Sequence, residues 1–148
     1  MFKYVALLMA VTAGIGAVLQ LGVNTQLRTY VQAPIMSALI SFAGGTLALA
    51  VLVLTGVLGR GHLTGLSHAP WWTLVGGLFG AFYVTVAIVA GPRIGATTTT
   101  TAIILGQLVM SIVVDHFGLV GFHRIPLSPS RIVGAVMLLS AVFLIQRR

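Results

Sequence analysis

Residues 34–59 read PIMSALISFAGGTLALAVLVLTGVLG, 26 consecutive positions without a charged side chain. A helix rises about 1.5 Å per residue, so roughly 20 apolar residues cross about 30 Å of hydrocarbon. This stretch is long enough to do so alone. Pro34 opens it, which suits a first helical turn, where a missing N–H has no intrahelical partner to lose. Working outward, charge-free stretches recur at 4–23, 71–92 and 94–114. The last one, 132–146, is short until Ser128 is read as a cap and Pro129 as the first helical residue. Arg131 then extends back toward the headgroups. The expectation is an all-α integral membrane protein with five transmembrane helices in a single transmembrane domain, at about 4–23, 34–59, 71–92, 94–114 and 129–146.

The composition supports this reading. Only 6% of the 148 residues are charged, whereas a soluble surface needs roughly a quarter to a third. The net charge of +7 comes from basic residues scattered singly between apolar stretches. Nucleic-acid binders cluster such residues, so no nucleic-acid partner is expected. Cysteine is absent, which removes disulfides, thiol nucleophiles and cysteine metal sites. His62, His68, His116 and His123 fall in loops or at helix ends without metal-ligand spacing. Asp115 is the sole acidic side chain. No G-x-S-x-G elbow and no Walker lysine loop is present, so neither an enzyme nor a nucleotide-driven pump is expected, and no metal or cofactor.

The breaker residues punctuate the connections. Asn24 to Ala33 reads as the first link, Arg60 to Pro70 as the longest loop, and Gly91-Pro92-Arg93 as a tight link between the third and fourth spans. Trp71 and Trp72 at a span's edge fit an interfacial belt. Lys3 followed by an apolar run resembles the start of a signal peptide, but the run exceeds a typical signal core and lacks a clean A-x-A site, so a retained helix is expected.

Five spans place Lys3, Arg60, Arg124 and Arg131 on one side and Arg28, Arg93, Arg147 and Arg148 on the other. Orientation follows the Lys/Arg difference across the membrane, and here it is zero. Either a few local positions decide the orientation, or the chain inserts both ways and pairs into an inverted assembly. Inverted repeats are a recurring transporter architecture.

Helical spacing gathers small and polar residues on one face of four spans: Ala13, Gly16, Ala17, Gln20 and Asn24; Ser37, Ser41, Gly44 and Ala48; Gly76, Gly80, Tyr83 and Ala87; Thr100, Gln107 and Ser111, with Asp115 slightly off the stripe. Small residues let membrane helices approach closely. The amides of Gln20, Asn24 and Gln107 are costly to leave unpaired in hydrocarbon, so they face protein or a polar cavity. Interhelix bonding and the lining of a solute path are both open. Asp115 is either an ion-pair partner of Arg28, Arg124 or Arg131, or a coupling group. The five threonines at 97–101 either bond back to carbonyls one turn earlier or line a path.

Taken together, the motifs resemble a known family. Gln20-x-x-x-Asn24-x-x-Leu27-Arg28 precedes Pro34, Ala38-Leu39-Ile40-Ser41-Phe42 and Gly45-Thr46. Pro70-Trp71-Trp72, Gly76-Gly77, Gly80-Ala81-Phe82-Tyr83 and Gly106-Gln107 follow. Asp115-His116-Phe117-Gly118, Gly121, Pro126-Leu127-Ser128, Arg131 and Gly134 complete the pattern. This is similar to the YdcZ-type (DUF606) family of the drug/metabolite transporter (DMT) superfamily. The resemblance implies a multi-pass protein of the bacterial inner membrane. It also implies a half-sized unit, completing a ten-helix inverted-repeat dimer with itself or with a sister five-helix chain. Small multidrug-resistance pumps carry a glutamate in their first helix, where this chain has Gln20 and Asn24, so cation/proton exchange of that kind is not expected.

The function expected from the sequence is secondary transport of a small polar solute, neutral or anionic. Gln20, Asn24, Gln107 and Ser41 are the expected polar contacts, with Tyr83 and Trp72 as aromatic ones. Arg28 either attracts an anionic group or holds Asp115. The alternatives are a small dual-topology channel, which the threonine run would serve, and a non-transporting structural membrane subunit.

Overall fold

The computed structural model describes residues 2–57, 59, 61 and 63–146, and every described element is helical. Five helices are long and apolar enough to cross a membrane. Arg60, His62, Arg147 and Arg148 lie outside the described residues, so half of one side's charge tally and part of the other's have no structural account. The chain divides into two compact units, Met1–Pro92 and Arg93–Arg148.

In the first unit α1 covers Phe2–Val31, 30 residues and about 45 Å. It runs eight residues past the boundary at 23 expected from the sequence, because a charge-free stretch measures hydrocarbon, whereas a helix ends where the backbone stops it. That stop is Gln32, with φ 55°, whose N–H still reaches the Arg28 carbonyl at 2.8 Å. Pro34 then holds Ala33 extended, at φ −142° and ψ 123°, since its ring disfavours the helical region for the preceding residue. Asn24 and Arg28 are therefore helical residues and not loop residues.

Helix α2 spans Pro34–Thr55 and stops before Gly56, whose φ of 67° gives a left-handed cap. The stop comes four residues earlier than residue 59. Trp71–Val75 forms a 3-10 turn that leads into α3, Gly76–Ile94. Gly91-Pro92-Arg93 is not the link that its composition suggests. Pro92 lies inside α3, and the break falls at Gly95, with φ 84° and ψ 155°, a conformation open essentially to glycine alone.

The core of this unit is Ala38, Val84 and Ile88, with Phe42 and Tyr83 packed against it. Glycines allow the approach. A Cβ at Gly80 would sit 3.3 Å from the Phe42 ring, and one at Gly91 would sit 3.1 Å from Leu21 Cδ1. The tight packing involves α3 from Gly80 to Gly91, against Phe42 on α2 and Leu21 on α1. Toward the other end, among the described residues, a Cβ at Gly16, Gly44 or Gly76 meets nothing within 4 Å.

The second unit pairs α4, Ala96–Phe117, with α5, Pro129–Gln146. Gly118, at φ 63°, ends α4 in the left-handed region. The following loop folds back on that end: the Ile125 N–H donates to the Asp115 carbonyl at 2.7 Å, and the Leu127 N–H donates to His116 Nδ1 at 3.2 Å. A Cβ at Gly118 would meet the Arg124 backbone at 3.3 Å. At the start of α5, Pro129 takes the first helical position, and the Arg131 N–H donates to Ser128 Oγ at a long 3.4 Å.

Candidate functional site

Gln20, Asn24 and Arg28 follow one another at four-residue intervals, which keeps them on one face of α1 over about 12 Å. The three make different contacts. Gln20 is exposed, and its Nε2 reaches Ser41 Oγ on α2 at a long 3.5 Å. Asn24 is 2% exposed. Its backbone carbonyl accepts a 2.7 Å bond from the fully buried Ser37 hydroxyl, which ties α2 to α1. Its side-chain Nδ2 is buried without a hydrogen-bond partner among the described residues.

That amide lines a cleft of about 180 Å³ between α1 and α3, bordered by Ala17, Gln20, Leu21, Asn24, Tyr83, Val84, Ala87 and Ile88. Its walls are mostly apolar, with polar groups from Gln20, Asn24 and the half-buried Tyr83. An unpaired amide donor in such a place costs roughly 1–3 kcal/mol. A polar acceptor entering the cleft would remove that cost.

Arg28 lies one turn further along. Its Nη1 donates to the Ile88 carbonyl on α3 at 3.2 Å. In an unbroken helix that carbonyl would accept from the N–H of residue 92, but Pro92 has none. Arg28 thus replaces the bond that proline removes.

Of the expected site residues in this unit, two do not line the cleft. Trp72 sits on the 3-10 turn before α3, 46% exposed and outside the lining. Ser41 is reached only through Gln20. Gln107 belongs to the second unit, where it is exposed on α4. Ser37 and the Ile88 carbonyl were not among the expected groups. Pro92 inside an apolar stretch was the available signal for the second, since it frees a carbonyl four residues earlier.

In the second unit Asp115 lies in the last turn of α4 and pairs with Arg131 on α5, Oδ2 to Nη1, at 2.9 Å. Of the three arginines open as partners, this is the one found, and Arg28 bonds a carbonyl instead. The pair borders a groove of about 780 Å³ with Ser111 and Gly134. The Thr99 hydroxyl donates to the Gly95 carbonyl at 2.8 Å and that of Thr101 to the Thr97 carbonyl at 2.7 Å. These two threonines bond back to their own helix.

Five helices long and apolar enough to cross a membrane define a multi-pass membrane protein. The family model described as "Putative inner membrane exporter, YdcZ" matches residues 5–144. The chain belongs to that family. It is similar to Inner membrane protein YdcZ of Escherichia coli (strain K12), with 32% identity over 143 residues, covering 93% of this chain and 92% of that one. No solved structure matches the chain significantly. The protein is therefore a multi-pass inner-membrane protein of a transporter family.

Proposed function

We propose that the chain is a secondary transporter of a small polar solute, working as an inverted, dual-topology dimer with itself or with a sister five-helix chain. The observation that carries the solute site is the buried, unpartnered Nδ2 of Asn24 in the α1/α3 cleft. Gln20 and Tyr83 share that cleft and complete the solute contacts. Ser41 holds Gln20, and Trp72, on the turn before α3, adds an aromatic contact outside the cleft. Asp115, joined to Arg131, serves structure and not coupling. The chain is not an enzyme on this reading.

A dimer is favoured by what the helices leave uncovered. The small-residue positions Gly16, Gly44 and Gly76 are open, and close approach of small residues is how membrane helices associate. The even division of basic residues favours insertion in both orientations.

The test begins with a thermal-stability screen of small polar solutes on the purified protein, because a ligand selective for the folded state raises apparent stability. Solutes that stabilise are then assayed for counterflow in proteoliposomes. The expected result is slow, saturable exchange that Asn24→Leu abolishes. Solute-independent ion flux of about 10⁶ per second would make the protein a channel. Reporter fusions at both termini are expected to show both orientations. One fixed orientation without an oppositely inserted partner chain would remove the inverted dimer.

A further inference from the structure

Arg28 is a half-buried guanidinium with no carboxylate partner among the described residues. The sequence contains one acidic side chain, and Asp115 is joined to Arg131 at 2.9 Å. The contact that Arg28 does make, to the Ile88 carbonyl, is to a neutral acceptor. It engages one of the five N–H donors that a guanidinium carries in a fixed fork. The residue borders an open groove of about 690 Å³ with Thr25, Thr29, Gln32 and Pro92. Every charged or hydrogen-bonding side chain in that lining is cationic or neutral. Arg28 also lies five residues beyond the apolar stretch ending at residue 23, about 7.5 Å further along the axis. That is the depth at which a helix leaves hydrocarbon for the headgroups.

We propose that this groove is an anion site, in which Arg28 takes a carboxylate or phosphate group through the donors not used by Ile88. A planar guanidinium matches the paired oxygens of either group bidentately. The same chemistry is offered by the acid group of a soluble anion and by the phosphate of an anionic lipid. The site does not depend on the transport reading, because its test reads binding and not flux.

The experiment measures thermal unfolding of the full chain in phosphatidylcholine nanodiscs while inorganic phosphate replaces chloride at constant ionic strength. A saturable rise in Tm is expected for the wild type and for Arg93→Gln. It should vanish in Arg28→Gln and shrink in Arg28→Lys, which keeps the charge without the fork. Pro92→Ala separates binding from folding, since it restores a backbone donor to the Ile88 carbonyl. Arg28→Gln/Pro92→Ala should therefore fold and still fail to respond, while Pro92→Ala alone responds. In phosphatidylglycerol nanodiscs, an Arg28-dependent rise in basal Tm with loss of the phosphate response identifies lipid as the occupant. An unchanged phosphate response there identifies a soluble anion. The proposal is overturned if neither phosphate nor phosphatidylglycerol shifts the wild type, or if Arg28→Gln/Pro92→Ala responds as the wild type does.

Discussion

Arg28 and Pro92 act on the same atom from opposite directions. Proline withholds the N–H that the Ile88 carbonyl would accept from its own helix, and Arg28 donates to that carbonyl from α1 at 3.2 Å. Ile88 is fully buried, so its carbonyl has little access to water. The two substitutions should be coupled. Arg28→Gln should cost about 1–2 kcal/mol in the native background, where a buried acceptor loses its donor. In the Pro92→Ala background the cost should fall by about half or more. A double-mutant cycle from denaturant unfolding in detergent measures this directly, and additive effects would show that Arg28 does not cap Ile88.

Asn24 should separate stability from transport. Its Nδ2 is buried without a hydrogen-bond partner among the described residues, so Asn24→Leu, which lacks that donor, should be as stable as the native chain or more so by about 1 kcal/mol. Solute exchange should fall at least about tenfold, since the acceptor on the solute loses its donor. Loss of both stability and exchange would make Asn24 a packing residue.

Asp115 and Arg131 are each partly open, with side-chain exposures of 26% and 33%. A pair so placed contributes roughly 0.5–1 kcal/mol and weakens with salt. Asp115→Asn should therefore lower the unfolding midpoint slightly, keep full transport and keep its pH dependence. Transport that loses its pH dependence in this variant would restore the coupling role.

Two glycines in the first unit should respond unequally to alanine. A Cβ at Gly91 would meet the buried Leu21 at 3.1 Å, whereas one at Gly80 would meet the Phe42 ring at 3.3 Å. Gly91→Ala should destabilise by about 1–2 kcal/mol through overpacking, with partial rescue by Leu21→Ala. Gly80→Ala should cost less, because a half-buried ring can shift by a few tenths of an ångström. Equal costs would indicate that neither contact limits the approach of the helices.

The sequence by itself determined that this is a five-span helical membrane protein, and that Gln20, Asn24, Tyr83 and Gln107 are the polar groups to account for. Hydrophobic length and charge exclusion are properties of the chain, and they hold before any helix has a neighbour. The starts at Pro34 and Pro129 were legible for the same reason, because proline's preference for a first turn is local. The helix ends were less so. Gln32, Gly56 and Gly95 stop their helices through backbone conformations that leave little mark on an apolar count, which is why that count ends the first span before Asn24 and Arg28. Pro92 has the composition of a link yet is part of α3, because the donor that compensates it comes from a residue 64 positions earlier on another helix. Which arginine meets Asp115, and that Asn24 is the buried one of the three amides, were decided only by tertiary structure. A buried hydrogen bond forms within about 3 Å of its acceptor, and that proximity arises when helices distant in sequence pack together.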